Sequence, residues 1–261
     1  MHPILFEFGN WPVYSYGVLL AGAYLAALQL AVVRARRVGL DGSKVMDLGI
    51  YLIIAALVGA KLMLIAVDFN YFMSRPGELL SLVRAGGVFY GGLITAVAVA
   101  FWLVKRYGLP IWTTGDLFAP GIALGHVIGR LGCLLAGCCY GRPTDVPWAI
   151  TFTDPVAAAN VGTPLGVPLH PTQLYDAGAE LLIMIVLLAT ERKGRVFAGR
   201  TFWLYILLYG VSRFVVEFFR GDDRGSMMGL STSQFISVLA VPLALGMLVW
   251  LRNAAAARAR S

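Results

Sequence analysis

The sequence predicts an all-α integral membrane protein with about seven transmembrane helices, a small periplasmic cap, an outer N-terminus and a cytoplasmic C-terminus. Of the 261 residues, 59% are hydrophobic and only 13% are charged. Soluble proteins average roughly 45–50% apolar and about 25% charged residues, so this composition excludes an ordinary soluble enzyme. The net charge of +7 lies between apolar stretches, which argues against a nucleic-acid-binding face and for a role in membrane orientation.

Seven apolar stretches approach the length of about 20 residues with which a helix crosses the hydrocarbon core. They cover residues 13–33, 45–67, 88–104, 117–139, 174–190, 202–219 and 235–251. Pro120 and Pro242 fall inside two of these stretches, and membrane helices tolerate proline where neighbouring helices satisfy the freed backbone groups. We therefore expect a single integral membrane domain over residues 1–261.

The basic residues predict the orientation, because cytoplasmic loops carry an excess of Lys and Arg. Most of the 21 basic residues share one side of the membrane when the N-terminus is placed outside. These residues are Arg34, Arg36, Arg37, Lys44, Lys105, Arg106, Arg192, Lys193, Arg195, Arg200, Arg252, Arg258 and Arg260. The first ten residues lack the basic region of a secretory signal peptide, which favours a retained first helix.

Two outer segments separate these spans. Residues 68–85 contain Pro76 and Gly77 with mixed polarity, which is typical of a segment along the membrane interface. Residues 140–169 form the longest outer segment, in which Trp148, Ile150 and Phe152 alternate with smaller residues in a short strand pattern. We expect the cap here, inserted between the fourth and fifth spans.

Ionisable side chains at membrane depth are functional candidates, because each costs about 2.5–3.5 kcal/mol on insertion scales. Arg213, Glu217 and Arg220 are spaced i, i+4 and i+7, so they share one face of the sixth span. His126 and Arg130 lie one turn apart in the glycine-rich fourth span. Arginine forms bidentate hydrogen bonds to phosphate and stays charged when buried. Arg130 and Arg213 therefore predict a clamp for a phospholipid headgroup.

The structural alternative is that these arginines have ordinary roles. Either can snorkel to the membrane surface, and Arg213 can pair with Glu217. Arg130 has no acidic neighbour in its own span, so we expect it to lack a protein partner unless Asp176 or Glu180 reaches it. Glu217 fits neutralisation of the arginines as well as positioning or proton transfer.

The fifth span opens with the run from His170 to Asp176, in which a proline stands near the first turn. His170 and Gln173 fit helix capping and interfacial hydrogen bonding as well as a place in the site. Asp176 and Glu180, again at i and i+4, continue into the span.

Three cysteines, Cys133, Cys138 and Cys139, cluster near the outer end of the fourth span. These cysteines could form a disulfide in an oxidising compartment. However, the adjacent Cys138 and Cys139 can form one only with strain, and Cys133 is expected to lie off the helical face of Cys138. Zinc would need a fourth ligand such as His126 or His170, and without a CxxC pair or a spaced His pair we expect no metal. Small packing residues are the preferred interpretation, with a redox pair as the alternative.

The run over residues 129–143 resembles the signature G-R-x-G-N-F-x-N-x-E-x-x-G of the prolipoprotein diacylglyceryl transferases. Further motifs resemble that family in order and spacing, so the likeness covers nearly the whole chain. They are Tyr16-Gly17 and residues 86–93, 145–148, 170–175 and 213–220.

The resemblance implies an enzyme of the bacterial inner membrane that moves the diacylglyceryl group of phosphatidylglycerol to the lipobox cysteine of a preprolipoprotein. Glycerol phosphate leaves, and no metal or cofactor takes part. The resemblance also implies that Arg130 and Arg213 bind the lipid headgroup and that Tyr16 lies at the site. The candidate catalytic residues are Arg130, Arg213, Glu217, Tyr16, Tyr90 and His170. The candidate substrate-binding residues are Arg130, Arg213, Arg220, Gly129, Gly132, Gly141, Gln173 and Tyr175.

The chain departs from the family pattern at three positions. Cys133 stands for the signature Asn, Cys138 for the Glu, and Tyr90 for the His of a His-Gly-Gly motif. Because that histidine is missing, Glu217, His170 and Tyr90 are the candidate bases. A transferase with another acceptor, a non-catalytic phospholipid-binding protein and a membrane thiol-oxidoreductase remain alternatives.

Overall fold

The computed structural model describes residues 1–9, 11–75, 77, 87–192, 197–222 and 225–258. Within these ranges seven helices are long and apolar enough to cross a membrane, which confirms the predicted number of spans. The helices are α1 (Ser15–Arg37), α2 (Gly42–Val67), the short α3 (Phe69–Ser74), α4 (Phe89–Arg106), α5 (Ile111–Ala136), the short α6 (Pro155–Val161), α7 (Thr172–Arg192), α8 (Arg200–Val216) and α9 (Thr232–Arg258). A 3-10 turn, Glu217–Phe219, extends α8. The chain is thus a multi-pass membrane protein.

Short antiparallel strand pairs precede α1 or stand in the connections between later helices. They are β1 (Ile4–Phe8) with β2 (Trp11–Tyr14), β3 (Ile150–Thr151) with β4 (Pro168–Leu169), and β5 (Ser226–Met227) with β6 (Leu230–Ser231). Strand β3 lies within the alternating pattern from Trp148 to Phe152, as expected. The N-terminal hairpin was not predicted, and because it extends to Tyr14, the first span begins at Ser15 and not at residue 13.

Some predictions fall on residues that the structure does not describe. Of the interfacial segment 68–85, α3 is described, whereas residue 76 and residues 78–86 lie outside the described residues. Lys193, Arg195 and Arg260, on which the orientation partly rests, also lie outside them. The orientation and the periplasmic position of the cap stay predictions.

The chain divides into two compact units, residues 32–114 and residues 1–31 with 115–261. In the first unit, glycines let the backbones of α2 and α4 come close together. A Cβ atom on Gly92 would lie 2.7 Å from the carbonyl oxygen of Ala56, and one on Gly59 would lie 2.6 Å from that of Gly91. That both units form a single membrane domain stays a prediction.

In the second unit, α5, α7 and α8 pack around a shared core. Its buried members are Ala119, Ala123, Ile183, Leu187 and Tyr205. Asp116 of α5 also fixes the start of α8, because its carboxylate accepts the backbone N–H groups of Gly199 at 2.6 Å and Phe202 at 2.8 Å. These N–H groups have no partner inside the helix, so the carboxylate satisfies them.

The cap is built on the end of α5. Phe152 and Ala157 are fully buried, and the Thr163 hydroxyl donates to the Gly137 carbonyl at 3.0 Å. Gly137 adopts a left-handed conformation (φ 80°), which ends α5 at Ala136. The fourth span is therefore three residues shorter at this end than the sequence predicted, because hydropathy does not register a left-handed turn.

Candidate active site

Asp176 of α7 lies between two arginines from other parts of the unit. Its Oδ2 atom is 3.1 Å from Nε of Arg130 and 3.5 Å from Nη1 of Arg220. Asp222 also binds the guanidinium group of Arg220, and each of its carboxylate oxygens lies 2.9 Å from a guanidinium nitrogen. The expectation that Arg130 lacks a protein partner is therefore wrong, because α7 brings Asp176 to it.

Arg213 of α8 is buried and only partly satisfied. Its Nη2 atom lies 2.5 Å from Oε2 of Glu217 and donates to the Ser233 hydroxyl at 3.0 Å. Its Nη1 atom is buried and has no hydrogen-bond partner among the described residues. An unfilled buried donor costs free energy, so this nitrogen is a place where an anion would bind favourably.

The arginine cluster is nearly neutral. The Nε atom of Arg142 donates to the carbonyl oxygen of Arg220 at 2.9 Å, which adds a fourth guanidinium. The cationic members are Arg130, Arg142, Arg213 and Arg220, and the anionic members are Asp176, Glu217 and Asp222. Four positive and three negative charges leave one positive charge, which one phosphodiester would balance.

A polar cleft of about 510 Å³ lies beside this cluster. Glu217 and Arg220 line it, together with Arg142, Asp222 and Gln234. The cleft therefore places space for a polar group next to the charged side chains.

Helices α5 and α7 contact each other through two pairs of ionisable side chains. His126 Nδ1 lies 2.6 Å from Oε1 of Glu180, and one turn along both helices Arg130 meets Asp176. Residue numbers rise along one helix as they fall along the other, so the helices run antiparallel. The matched i, i+4 spacing and opposite charge of the two pairs were the sequence signal for this contact, which was considered only as the structural alternative.

His126 was not among the predicted site residues. The hydroxyl of Tyr205 lies 3.1 Å from its Nδ1 atom, and 44% of its side chain is exposed. A carboxylate beside one ring nitrogen is the arrangement that orients histidine as a base. His126, Arg130 and Cys133 follow one another at i, i+4 and i+7 of α5, so they share one face of that helix.

Tyr16 lies in the first turn of α1 and is 40% exposed. A Cβ atom on Gly132 would lie 3.3 Å from its ring, so glycine there lets the ring pack on α5. A Cβ atom on Gly129 would meet nothing within 4 Å, whereas one on Gly141 would clash with the backbone of His170. Gly129 thus borders open space, and Gly141 is required by the close passage of two chain segments.

His170, Gln173 and Tyr175 connect the cap to α7. The Tyr175 hydroxyl accepts from Trp148 Nε1 at 2.7 Å and lies 3.1 Å from His170 Nδ1. Gln173 is fully buried, and its Nε2 atom donates to the Cys138 carbonyl at 2.8 Å. These contacts fit the hydrogen-bonding alternative, while roles in catalysis or substrate binding stay predictions.

Tyr90 belongs to the other compact unit. It stands in the first turn of α4, is 40% exposed, and its ring packs edge-on against Phe89 with centroids 5.6 Å apart. Its assignment as a base stays a prediction.

The three cysteines form one cluster, with all Sγ atoms within 4.8 Å of one another. The chain reverses at Gly137 and again at Cys139, whose φ is 62°, so Cys138 and Cys139 return towards Cys133. The expectation that Cys133 lies apart from Cys138 is wrong, because it assumed a helix through residue 139. Hydrogen bonds with the other two thiols, together with burial, raise the pKa of Cys138.

Comparisons with known proteins identify the family of this chain. A family model described as prolipoprotein diacylglyceryl transferase matches residues 3–250. The phosphatidylglycerol–prolipoprotein diacylglyceryl transferase of Clostridium tetani is 38% identical over 242 residues, which cover 92% of this chain and 94% of that protein. A protein of the same name from Aromatoleum aromaticum is 34% identical over 96% of both chains. The chain therefore belongs to the prolipoprotein diacylglyceryl transferase family.

Proposed function

We propose that this chain transfers the diacylglyceryl group of phosphatidylglycerol to the lipobox cysteine of a prolipoprotein, in the inner membrane of a bacterium. Family membership and the names of the relatives support the reaction. The observation that carries the proposal is the buried Arg213, whose Nη1 atom has no partner among the described residues. With the N-terminus outside, the cap and this site face the periplasm, where prolipoproteins are presented.

The charge of the cluster suits a phosphodiester. Phosphatidylglycerol carries one negative charge, and the cluster of four arginines and three carboxylates carries one net positive charge. Arg213 supplies the unfilled donor, and Arg130 lies beside the open space at Gly129. Together they hold the phosphate while the acyl chains remain in the bilayer.

The same groups favour the chemical step. The acceptor sulfur attacks the glycerol carbon that bears the phosphate, the carbon–oxygen bond breaks, and glycerol phosphate leaves. The phosphodiester has one negative charge, whereas the departing monoester gains a second. The guanidinium groups therefore bind the transition state more strongly than the substrate, which lowers the barrier.

The acceptor thiol, with an ordinary pKa of about 8.5, must lose its proton. We assign this proton to His126, because Glu180 holds Nδ1 and leaves Nε2 as the acceptor. Of the bases named from the sequence, Glu217 is paired with Arg213 and His170 contacts Tyr175. His126 stands on the same face of α5 as Arg130.

The test is the mass of a lipobox peptide after incubation with the purified protein and phosphatidylglycerol liposomes. We expect a gain of one diacylglyceryl group and release of glycerol phosphate, and no gain for a peptide with serine in place of the lipobox cysteine. Lipid binding without release would indicate a binding protein. A disulfide product would indicate an oxidoreductase. Lipid transfer to another acceptor alone would indicate a transferase of different specificity.

A further inference from the structure

The cysteine cluster is held in place by α7. The hydroxyl of Thr172 donates to the carbonyl of Cys139 at 2.7 Å, and the amide of Gln173 donates to the carbonyl of Cys138 at 2.8 Å. Thr172 and Gln173 are fully buried. The turn that carries two of the thiols is therefore fixed from its backbone, while its side chains face Cys133.

The spacing of the thiols suits a metal ion. Zinc binds thiolate sulfur at about 2.3 Å, which places the sulfurs of a tetrahedral site about 3.8 Å apart. The three Sγ atoms already lie within 4.8 Å of one another, so side-chain rotation closes the remaining gap of about 1 Å. Three protein ligands with a fourth position left for substrate are typical of catalytic zinc, and thiolates select zinc over harder ions.

Two guanidinium groups lie near the thiols and would offset the charge of a zinc–thiolate cluster. Arg130 interacts electrostatically with Cys133 and Cys139, and Arg220 also interacts with Cys139. Zinc with three thiolates carries one negative charge, which these guanidinium groups offset. The histidines considered as fourth ligands are engaged elsewhere, His126 with Glu180 and His170 with Tyr175. The fourth position is thus left to an incoming ligand.

We propose that Cys133, Cys138 and Cys139 bind a zinc ion and that the acceptor thiol of the prolipoprotein is its fourth ligand. This inference rests on the proposed function and specifies how the thiol is activated. A zinc-bound thiol loses its proton near neutral pH in the way that zinc-bound water does. The cluster stands at the end of the α5 face that carries His126 and Arg130, so the bound sulfur is close to the headgroup clamp.

The step balances without an oxidant or reductant. The acceptor thiol binds zinc and releases one proton, which water carries to His126, about 10 Å along α5 from Cys133. Its sulfur then attacks the glycerol carbon, a sulfur–carbon bond forms, and the carbon–oxygen bond breaks with its electron pair on the phosphate oxygen. The proton leaves with the glycerol phosphate, and the neutral thioether dissociates from zinc because zinc prefers anionic sulfur.

The proposal also accounts for the departures from the family pattern. Cysteine replaces the signature Asn and Glu at Cys133 and Cys138, and the His expected at Tyr90 is missing. A metal that activates the acceptor thiol removes the need for a histidine at position 90. The cysteines at 133 and 138 and the tyrosine at 90 are then explained by the same metal site.

The first test is metal binding by the purified protein under a non-chelating reductant. We expect one zinc per chain by mass spectrometry of the metals, and with cobalt the intense thiolate-to-metal absorption of a tetrahedral site. Cys133→Ser, Cys138→Ser and Cys139→Ser should each weaken zinc binding by at least about tenfold, the lower limit seen even for outer partners of a metal. Ala136→Ser, which adds a hydroxyl to the same segment and keeps all thiols, is the matched control.

The second test adds the lipobox peptide to the cobalt-loaded protein. The thiolate-to-cobalt absorption should increase with the cysteine peptide and remain unchanged with the serine peptide. This readout needs no turnover and no folded mutant. A wild-type protein that retains no zinc or cobalt, or a cobalt spectrum indifferent to the cysteine peptide, overturns the proposal.

Transfer measured on the same samples separates this inference from the proposed function. We expect removal of zinc by a chelator to abolish transfer and zinc to restore it. Full transfer by metal-free protein overturns the zinc role and leaves the transferase function intact. Bound zinc without transfer to any lipobox peptide contradicts the proposed function itself. Loss of transfer on oxidation with no bound metal would assign the thiols to a redox pair.

Discussion

At the scale of single residues, Asp176 determines how the arginines are arranged. Its carboxylate contacts Arg130 and Arg220 through the same oxygen. Without it, two guanidinium groups would share a buried space with no anion between them. Asp176 is therefore a positioning residue for the clamp, although the sequence named it only as an alternative partner of Arg130.

We expect Asp176→Asn to lower the transfer rate at least about tenfold and to destabilise the fold by about 3 kcal/mol, because removing one partner leaves buried charge unpaired. Turnover and thermal unfolding in detergent measure the two effects. Asp47→Asn makes the same chemical change at an exposed position of α2 and should affect neither. Unchanged turnover in Asp176→Asn would show that this carboxylate does not position the clamp.

At the scale of elements, the pairing of α5 with α7 places a histidine–carboxylate pair one turn from an arginine–carboxylate pair. Each helix contributes two ionisable residues at i and i+4. The two contacts that they form between the helices fix the register of α5 relative to α7. The spacing within each helix was readable from the sequence. Which helices are neighbours was not, because hydropathy describes burial in lipid and carries no information on contacts between spans.

The contact between α5 and α7 predicts that substitutions of His126 and His170 have different effects on transfer. We expect His126→Ala to lower the transfer rate by about 10²–10⁴-fold, the usual contribution of a general base, and added imidazole to restore part of it. His170→Ala should lower the rate less and show no rescue, because His170 contacts Tyr175 in the cap. The opposite result, with rescue only in His170→Ala, would transfer the base assignment to His170.

The close contact of α2 with α4 gives a prediction for stability. A Cβ atom at Gly59 would collide with the Thr95 side chain and the Gly91 carbonyl. We expect Gly59→Ala to destabilise the protein by about 1–3 kcal/mol, the usual cost of overpacking. A Cβ atom at Gly178 on α7 would meet nothing within 4 Å. Gly178→Ala should therefore be neutral or should stabilise the protein by up to about 1 kcal/mol. Equal unfolding temperatures for the two variants would contradict this packing.

At the scale of the whole molecule, the distribution of basic residues predicts the orientation. An epitope inserted after Asp145, in the cap, should be accessible to antibody on spheroplasts. One inserted at Gly108, between α4 and α5, should become accessible only after the membrane is opened. The reverse pattern would show that the cap faces the cytoplasm, and the proposed site would then lie on the wrong side for prolipoproteins.

The seven spans could be predicted because about 20 successive apolar residues have few alternatives to a membrane helix. Features that depend on single backbone conformations or on long-range contacts could not. The left-handed turns at Gly137 and Cys139 determine where α5 ends and bring the thiols together. The partner of Arg130 stands on another helix. The sequence therefore named the clamp arginines, offered Asp176 only as an alternative partner, and missed the geometry of the cysteines.

The proposed function depends on buried guanidinium groups that hold the lipid phosphate and stabilise the departing monoester. The most direct measurement is the turnover of Arg213→Lys with phosphatidylglycerol and a lipobox peptide, compared with Arg106→Lys at an exposed position of α4. Lysine keeps the charge and removes the unfilled nitrogen. We predict that Arg213→Lys folds and loses about 100-fold or more in turnover, as for removal of one preorganised donor, while Arg106→Lys is unaffected. Turnover near the wild-type value in Arg213→Lys would contradict the claim.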